Sequence, residues 1–506
     1  MAKDESQRPP APGMVLEIAV FTCGALVMAY EIIGSRIVAP YIGTSTYIWT
    51  SLIGVILAAL SLGYWLGGRM ADRLPDAKVL SAAIFAAGGM VSFTILAKDM
   101  ILSLTASSPL PLELKAVFAA LLLFAPAAAA LGFVLPYAAK LRIASVDTAG
   151  NTVGRLYALS TIGSIVGTFA AGFFLIPIVG SSRTLYLIAG LLFLLAVLLA
   201  PFIFSRLNFG ILILFVLAVA GNEATTHMLR SSAGLIDLDT EYSRVRIFES
   251  TDRATGRPIR VLSTDPYSAQ SAMFLDGDNG LVLEYTKFYH LVRHFRPGHR
   301  DALMIGGAGF SFPRDHLRAY PDATITVVEI DPAMERLARK HFRLPEDPRL
   351  KIVHQDGRIF LNSAEPEQYN AVFVDAFGSL LSVPFHLTTV EAVRGVERIL
   401  RPGGVVIVNM GSAVKGERAA FLNAELATYR LIFPEVRVFK VRPERPDDEI
   451  QNLMIVARKA NGKLPEGKPD SELQRLLATE IQAPVTEARQ LTDDLAPVER
   501  FSAFAY

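Results

Sequence analysis

The chain is poor in several residues that chemistry most often uses. Its one cysteine, Cys23, leaves no partner for a disulfide and no thiolate cluster for a metal, so neither scaffold is available and the redox compartment stays open. Net charge is missing too: 49 Lys and Arg against 48 Asp and Glu leave +1, too weak a field to expect a nucleic-acid partner. With 52% of its residues hydrophobic, the chain lacks the composition of a disordered protein. Charge and histidine are scarce in one part only. Just 22 of the 97 charged residues, and none of the eight histidines, precede position 223. The mean hydropathy of +0.38 therefore averages two unlike parts, which meet near 222–235.

Apolar sequence fills the first part. Runs able to cross a bilayer, which takes about 20 residues, lie at 15–34, 47–68, 79–97, 116–139, 156–178 and 184–204, with a shorter seventh at 207–221. Because six runs follow the first without a cleavage site and soluble continuation, the first is not a signal peptide. The pattern predicts a tail at 1–14 and an α-helical transmembrane bundle of six to seven helices over 15–222. Gly63/Gly67 and Gly163/Gly167, followed by Ala171, place small residues at helical spacing, which suits close packing. Pro126 and Pro136 predict a kink in the fourth span. Glu31 and Arg36 are ionisable groups in the first span and need partners. Five residues apart on a helix, they point about 140° apart and do not pair with each other. Arg69, Arg73, Lys78, Lys140, Arg142 and Arg155 enrich alternate loops, against Arg36, Lys98, Lys115 and Arg183 opposite. That bias puts the richer loops and the N-terminus in the cytoplasm. Seven crossings then deliver the rest of the chain outside, and six leave it in the cytoplasm.

Beyond 235 the periodicity changes. Short β-rich runs at 243–249, 259–263 and 272–276 predict a small β-layer over 235–300. Strand-like runs at 302–305, 324–330, 350–353, 371–375 and 405–409 then alternate with amphipathic segments such as 332–341 and 389–399. This is the pattern of a mainly parallel sheet covered on both faces, with its ligand at the carboxyl ends of the strands. The turn IGGAGFSFPR carries Gly306, Gly307 and Gly309, which permit close backbone approach to a ligand. Glu329 follows Gly309 by twenty residues, where a carboxylate binds the ribose of an adenosine. Asp356 follows the third strand and Asp375 ends the fourth. A dinucleotide fold wants a glycine where this chain has Phe312, so a cationic S-adenosyl ligand among carboxylates fits better than NAD. Helix capping by Asp331, Asp356 and Asp375 is the competing explanation of each acid singly.

The stretch from about 240 to 445 resembles the aminopropyltransferases, the spermidine and spermine synthases, through EYSRVRIFES, AMFLDGDNG, EYTKFYHL, IGGAGFSFPR, VVEIDP, QDGRIFL, VFVDAFGS and LRPGGVVIVN. AYEIIGSRIVAPYIG and LSLGYWLGGRMADR resemble the membrane region of the integral-membrane, spermidine synthase-like proteins. The resemblance implies an α/β Rossmann-like domain of methyltransferase and spermidine synthase type over 301–459, with the small N-terminal β-layer before it and a polar C-terminal tail at 460–506. It implies decarboxylated S-adenosylmethionine as co-substrate, no tightly bound cofactor and no metal. Glu329 matches the ribose-binding acid, Asp356 and Gly357 the adenine side, and Asp375 the catalytic aspartate, while Asp331 joins the glycines Gly306, Gly307 and Gly309 in the donor site. Glu284 and Tyr289 match the acid and tyrosine of the acceptor side, to which Asp276, Tyr242 and Gln270 are added as substrate-binding residues. Tyr289 and His290 are expected to orient the acceptor, and His386 is a second candidate base.

Three polar anchors of the family pattern are replaced here, by Gly309 and Phe310 in the glycine loop, by Gly378 after the catalytic aspartate, and by Ser243. Each lost charge-assisted hydrogen bond weakens binding of a buried ammonium by about 1.5–3 kcal/mol. Either other residues substitute, or the donor or acceptor differs from the usual pair. A small amine or a bulkier, lipid-borne acceptor is expected, with the bilayer as partner and a homodimer left open. S-adenosylmethionine-dependent methyl or aminocarboxypropyl transfer is the alternative chemistry, and a transporter or sensor binding a nucleoside or polyamine is the non-enzymatic one. Because S-adenosyl donors are made in the cytoplasm, the catalytic domain is expected there, so that either 207–221 does not complete an independent crossing or the loop-charge count misleads. Asp493 and Asp494 in LTDDLAPVER read as a helix cap.

Overall fold

The computed structural model describes residues 13–200, 206–265, 268–376, 383–460, 469–482 and 488–502. Most of the N-terminal tail, Phe377 and Gly378 of the catalytic loop, and linker residues 461–468 lie outside the described residues. The chain forms two units, Met1–Ser232 with Leu238–Ser243, and Ala233–Asp237 with Arg244–Tyr506.

In the first unit the helices are α1 (Gly13–Ile42), α2 (Thr46–Arg73), α3 (Ala77–Ala106), α4 (Leu112–Leu123), α5 (Ala125–Gly132), α6 (Val134–Arg142), α7 (Val146–Ala170, continued by a π-helical stretch to Val179), α8 (Ser181–Leu199) and α9 (Arg206–Ala233). Six are long and apolar enough to cross a membrane, and α4 with α5–α6 makes a seventh candidate bent by 53°. Pro126 stands in the first turn of α5, so the predicted kink falls where a proline costs no helical hydrogen bond. Despite the bend, α4–α6 reaches from the end of α3 back to the turn between α2 and α3. At one end Lys115 donates to the Ala106 carbonyl that closes α3, and at the other Tyr137 donates to the Leu74 carbonyl and Lys140 pairs with Asp72.

Glycines set the helix spacing. A Cβ on Gly63 would lie 2.1 Å from the Ala129 carbonyl oxygen, and one on Gly167 would lie 2.0 Å from that of Ala25, so only glycine lets these backbones touch. Helix α9 is longer than the apolar run 207–221. Asn222 and Glu223 end the apolar run but not the helix, and Arg206–Met228 has the length and hydropathy of a span. Helix α1 passes Gly34 unbroken, and Arg36 near its end donates to the carbonyls of Thr240 and Tyr242 rather than pairing with Glu31.

In the second unit a four-stranded sheet is ordered β1-β2-β3-β4, with β1 Ile236–Asp239, β2 Arg244–Thr251, β3 Pro258–Ser263 and β4 Ser271–Phe274. Short helices α10 (Glu284–Lys287) and α11 (Val292–Phe295) lead to β5 (Asp301–Ile305), α12 (Ser311–Ala319), β6 (Thr324–Glu329), α13 (Pro332–His341), β7 (Leu350–His354), α14 (Gly357–Ser363), β8 (Tyr369–Val374), α15 (Val390–Ile399) and β9 (Leu400–Ser412). After them come α16 (Ala420–Ile432), β10 (Glu435–Lys440), β11 (Gln451–Arg458), α17 (Ser471–Leu477) and β12 (Glu480–Ile481). The large sheet is ordered β12-β10-β11-β9-β8-β5-β6-β7. Strands β5 to β9 pair in parallel and β10 to β12 antiparallel. The order reverses between β5 and β8, which places the ligand crevice at their carboxyl ends. The polar tail carries ordered elements among the described residues. Strand β12 extends the sheet, and Leu491 and Val498 are buried in the main core at 1% and 0% exposure. Their isolated apolar positions in a polar run carry no periodicity to reveal that docking.

Candidate active site

Strand β5 ends at Ile305, and the chain turns sharply at Gly306, with φ +93°. A Cβ there would lie 2.3 Å from the Asp375 carbonyl oxygen, so this glycine holds the loop against the end of β8. The amides of Gly307 and Ala308 donate to Oε2 of Glu329, at 2.8 and 2.9 Å, and the Asp331 amide donates to Oε1 at 3.0 Å. A carboxylate offers roughly four lone-pair directions, so one remains for a ligand hydroxyl. Asp331 caps α13 through Oδ1, while its buried Oδ2 has no hydrogen-bond partner. The Gly309 amide donates to Ser271 Oγ at 2.9 Å, which ties the loop to β4.

Asp356 divides its oxygens between two tasks. Oδ1 caps α14 by accepting from the amides of Arg358 and Ile359, and Oδ2 lies 3.1 Å from His386 Nε2. The structure thus gives His386 to Asp356, not to Asp375 as a second base. Gly357 lies under β5, where a Cβ would meet Ile305 Cγ2 at 2.7 Å. Asp493 pairs with Arg358 and accepts from Thr389 Oγ1, both at 2.6 Å, instead of capping a helix.

Asp375 is the centre of a second cluster. Asn409 Nδ2 donates to its Oδ1 at 3.0 Å and the Tyr285 hydroxyl donates to its Oδ2 at 3.1 Å, while Tyr289 donates to the Val374 carbonyl at 3.4 Å. Asn452 on β11 donates to Asn409 Oδ1 at 2.9 Å and orients that amide. Burial pushes the Asp375 carboxyl up to about 6, with the hydrogen bonds from Asn409, Tyr285 and Tyr289 opposing the rise. Burial first, then the Asp375 charge, raises both tyrosines well above their usual value and keeps them protonated donors.

Gly306, Gly307, Gly309, Glu329, Asp331, Tyr289 and Asp375 therefore meet at the carboxyl edge of the sheet, with Asp356 and Gly357 after β7. Others among the expected residues do not. His290 is buried between the Tyr320 hydroxyl, 2.7 Å from Nδ1, and Asp315 Oδ2, 2.9 Å from Nε2, so it holds α12 rather than an acceptor. Glu284 is exposed and pairs with Lys287 at 2.7 Å. Asp276 pairs at 2.7 Å with Arg257, which is stacked on Phe274. The Gln270 side chain turns back to Asp265 and Ser268, and only its carbonyl reaches the Tyr285 hydroxyl, at 3.5 Å. Tyr242 belongs to the segment Leu238–Ser243 that goes with the helical unit.

Tyr285, Asn409, Asn452 and Ser271 were not expected in the site. Tyr285 had a signal, standing four residues before Tyr289 on the same side of the helical stretch. Asn409 had one too, as the polar end of VVIVN. Asn452 had none, because nothing in the sequence pairs its strand with β9.

A glycine loop locked onto the acid that ends β6, at the switch point of a Rossmann-like sheet, is the arrangement of nucleotide-binding domains. Comparison with known proteins narrows it. Residues 284–442 match the family described as spermine/spermidine synthase domain. The chain is similar to polyamine aminopropyltransferase 1 of Streptomyces coelicolor, 27% identical over 426 residues that cover 79% of this chain and 76% of that protein. It is similar to the polyamine aminopropyltransferase of Mycobacterium tuberculosis, 26% identical over 423 residues and covering 79% and 77%. Among solved structures it is similar to a probable spermidine synthase from Corynebacterium glutamicum, at 24% identity and a TM-score of 0.42, covering 53% of this chain and 94% of that one. Residues 284–442 are thus similar to the spermine/spermidine synthase domain, and the relatives that match most of the chain are named polyamine aminopropyltransferases. That family uses decarboxylated S-adenosylmethionine as co-substrate.

Proposed function

We propose that this protein is a membrane-anchored aminopropyltransferase that moves the aminopropyl group of decarboxylated S-adenosylmethionine to an amine, either soluble or borne by the membrane. The observation that carries the reading is the Asp375 cluster beside the glycine loop: a carboxyl raised to about 6, held at both oxygens by Asn409 and Tyr285. Ionised at neutral pH yet more basic than a free aspartate, it takes the proton of the acceptor ammonium. The freed nitrogen pair attacks the methylene carbon beside the sulfonium, a C–N bond forms, and the C–S pair returns to sulfur as neutral methylthioadenosine. Charge is lost from the donor during the step, so in-line positioning supplies most of the acceleration. Glu329, held by the loop amides, would hold the ribose, and the Tyr285 and Tyr289 hydroxyls would line the acceptor side.

The test is to incubate the purified full chain with decarboxylated S-adenosylmethionine and a panel of amines and lipid extracts. Release of methylthioadenosine is the expected result, and its absence with every acceptor overturns the reading. Phe310 favours a second chemistry. It is fully buried directly after Gly309, and the pair Gly309–Phe310 replaces the Asp-Gly whose carboxylate the family pattern uses for the donor's amine. Methyl transfer from S-adenosylmethionine would instead yield S-adenosylhomocysteine in the same assay.

If the bent pair is one span, the described residues hold seven candidate spans, and an odd number of crossings would put the N-terminus and the catalytic domain on opposite faces of a bilayer. We place the catalytic domain in the cytoplasm, where S-adenosyl donors are made. The Lys and Arg bias of the loops favours the reverse placement, and the two are separated by the reporter experiment in the Discussion.

A further inference from the structure

The soluble unit holds a cavity of about 310 Å3 lined chiefly by Arg314, Arg318, Arg343, Arg349, Asp347 and Asn279. Arg343 follows α13, and Asp347 and Arg349 lead into β7, so this part of the wall lies at the amino edge of the parallel strands. Gly306, Glu329 and Asp375 stand at the other edge, after β5, at the end of β6 and after β8. Arg314 and Arg318 are four residues apart on α12 and share a face.

The four guanidinium groups have unequal freedom. Arg349 is committed to the fold: Nε and Nη2 grip Asp347 at 3.1 and 2.7 Å, and Nη1 donates to the carbonyls of Leu317 and Pro321 at 3.0 and 2.9 Å. Arg318 pairs with Asp315. Arg314 donates Nη1 to the Phe342 carbonyl at 2.8 Å, but its Nε and Nη2 are buried without a hydrogen-bond partner. Arg343 is exposed, has φ +55°, and makes no ion pair among the described residues. Asp315 and Asp347 thus pair with Arg318 and Arg349, with Asp278 and Asp322 adding to their field, whereas Arg314 and Arg343 have no ion pair among the described residues. Burial, and after it the Arg343 charge, lower the Arg314 pKa, as crowding of like charges requires.

We infer that this cavity binds a phosphate-type oxyanion, free or carried by a lipid headgroup, through Arg314, Arg318 and Arg343. A planar guanidinium fork matches the edges of a tetrahedral oxyanion. The several oxygens of such an anion can meet the Arg314 donors and the Arg343 guanidinium together. The inference is independent of the transferase reading, because its readout is binding.

The full chain in phosphatidylcholine nanodiscs is titrated with pyrophosphate, against sodium chloride at equal ionic strength, and thermal unfolding is followed. Pyrophosphate should raise the midpoint, with about ten-fold weaker apparent affinity for Arg343→Gln, the effect of one lost charge-assisted hydrogen bond. Arg343 is exposed and free of ion pairs, so that variant folds; Arg343→Glu should abolish the response. In a second arm, nanodiscs containing phosphatidic acid replace the pyrophosphate. A midpoint rise there that Arg343→Glu removes, with none from pyrophosphate, identifies the lipid source. The inference is overturned if neither anion exceeds chloride, or if wild type and both variants respond alike.

Discussion

Asp375 shows how a site residue trades stability for reactivity. Its charge is held in a buried setting that favours the neutral acid, and three neighbouring side chains partly offset that preference. As a base it works only when ionised, so kcat/KM should rise with pH through a midpoint near 6 and then level, which a pH–rate profile measures. Asp375→Asn should lower turnover by about 10²–10⁴. The sign for stability is opposite. A carboxyl whose folded pKa is raised stabilises the fold below its unfolded pKa and loses that contribution as pH rises through about 6. The asparagine variant should therefore unfold at a higher temperature than wild type at pH 7, and an equal or lower midpoint contradicts the buried-charge account. Tyr285 opposes the rise by donating to Oδ2. Tyr285→Phe should move the acid limb above 6, while an unmoved limb would show that this hydrogen bond is absent in solution.

Single positions govern whole elements elsewhere. Gly306→Ala must accept φ +93° and a Cβ 2.3 Å from the Asp375 carbonyl oxygen. The left-handed conformation alone costs about 1–2 kcal/mol, and relieving the clash separates β5 from β8 at the site. Denaturant unfolding should show at least that loss, together with loss of nucleoside binding. Helix α12 carries a different device. His316 and His299 meet at 2.9 Å in an aromatic cluster with Tyr320, and burial pushes them down to about 3 and about 4. A histidine with a depressed folded pKa stabilises the fold above its unfolded value near 6.5 and loses that contribution as pH falls towards the folded value. In an Asp375→Asn background, which removes the opposing titration, the unfolding temperature should fall between pH 6.5 and 4. The double replacement His299→Phe, His316→Leu should flatten that slope.

At the scale of the molecule, the number of crossings decides where the chemistry happens. Helix α9 is long enough to span, and α4–α6 reaches from the end of α3 back to the turn between α2 and α3. A topology reporter at the N-terminus and another after Arg230 should then report opposite faces, with the second cytoplasmic. Two reporters on one face would remove a crossing, and an external second reporter would reverse the placement. The similarity to the Streptomyces coelicolor protein covers 79% of the chain, more than the soluble unit holds, so the likeness extends into the helices.

Strand–helix alternation and the spacing from Gly309 to Glu329 were legible without coordinates, because hydrophobic period and tight turns are local properties of the chain. Small residues at helical spacing in α2 and α7 were legible for the same reason. The length of α9, the docking of Leu491 and Val498, and the antiparallel strand that brings Asn452 to Asn409 were not, since each depends on a partner distant in sequence. Acids and histidines were found by type, but their partners were not legible. Only packing decides that His290 closes on Asp315, Glu284 on Lys287 and Asp276 on Arg257, while Tyr285 turns to Asp375. A residue's type and spacing determine what it is able to do; its neighbours in space determine whether an ionisable group is already satisfied or left to act.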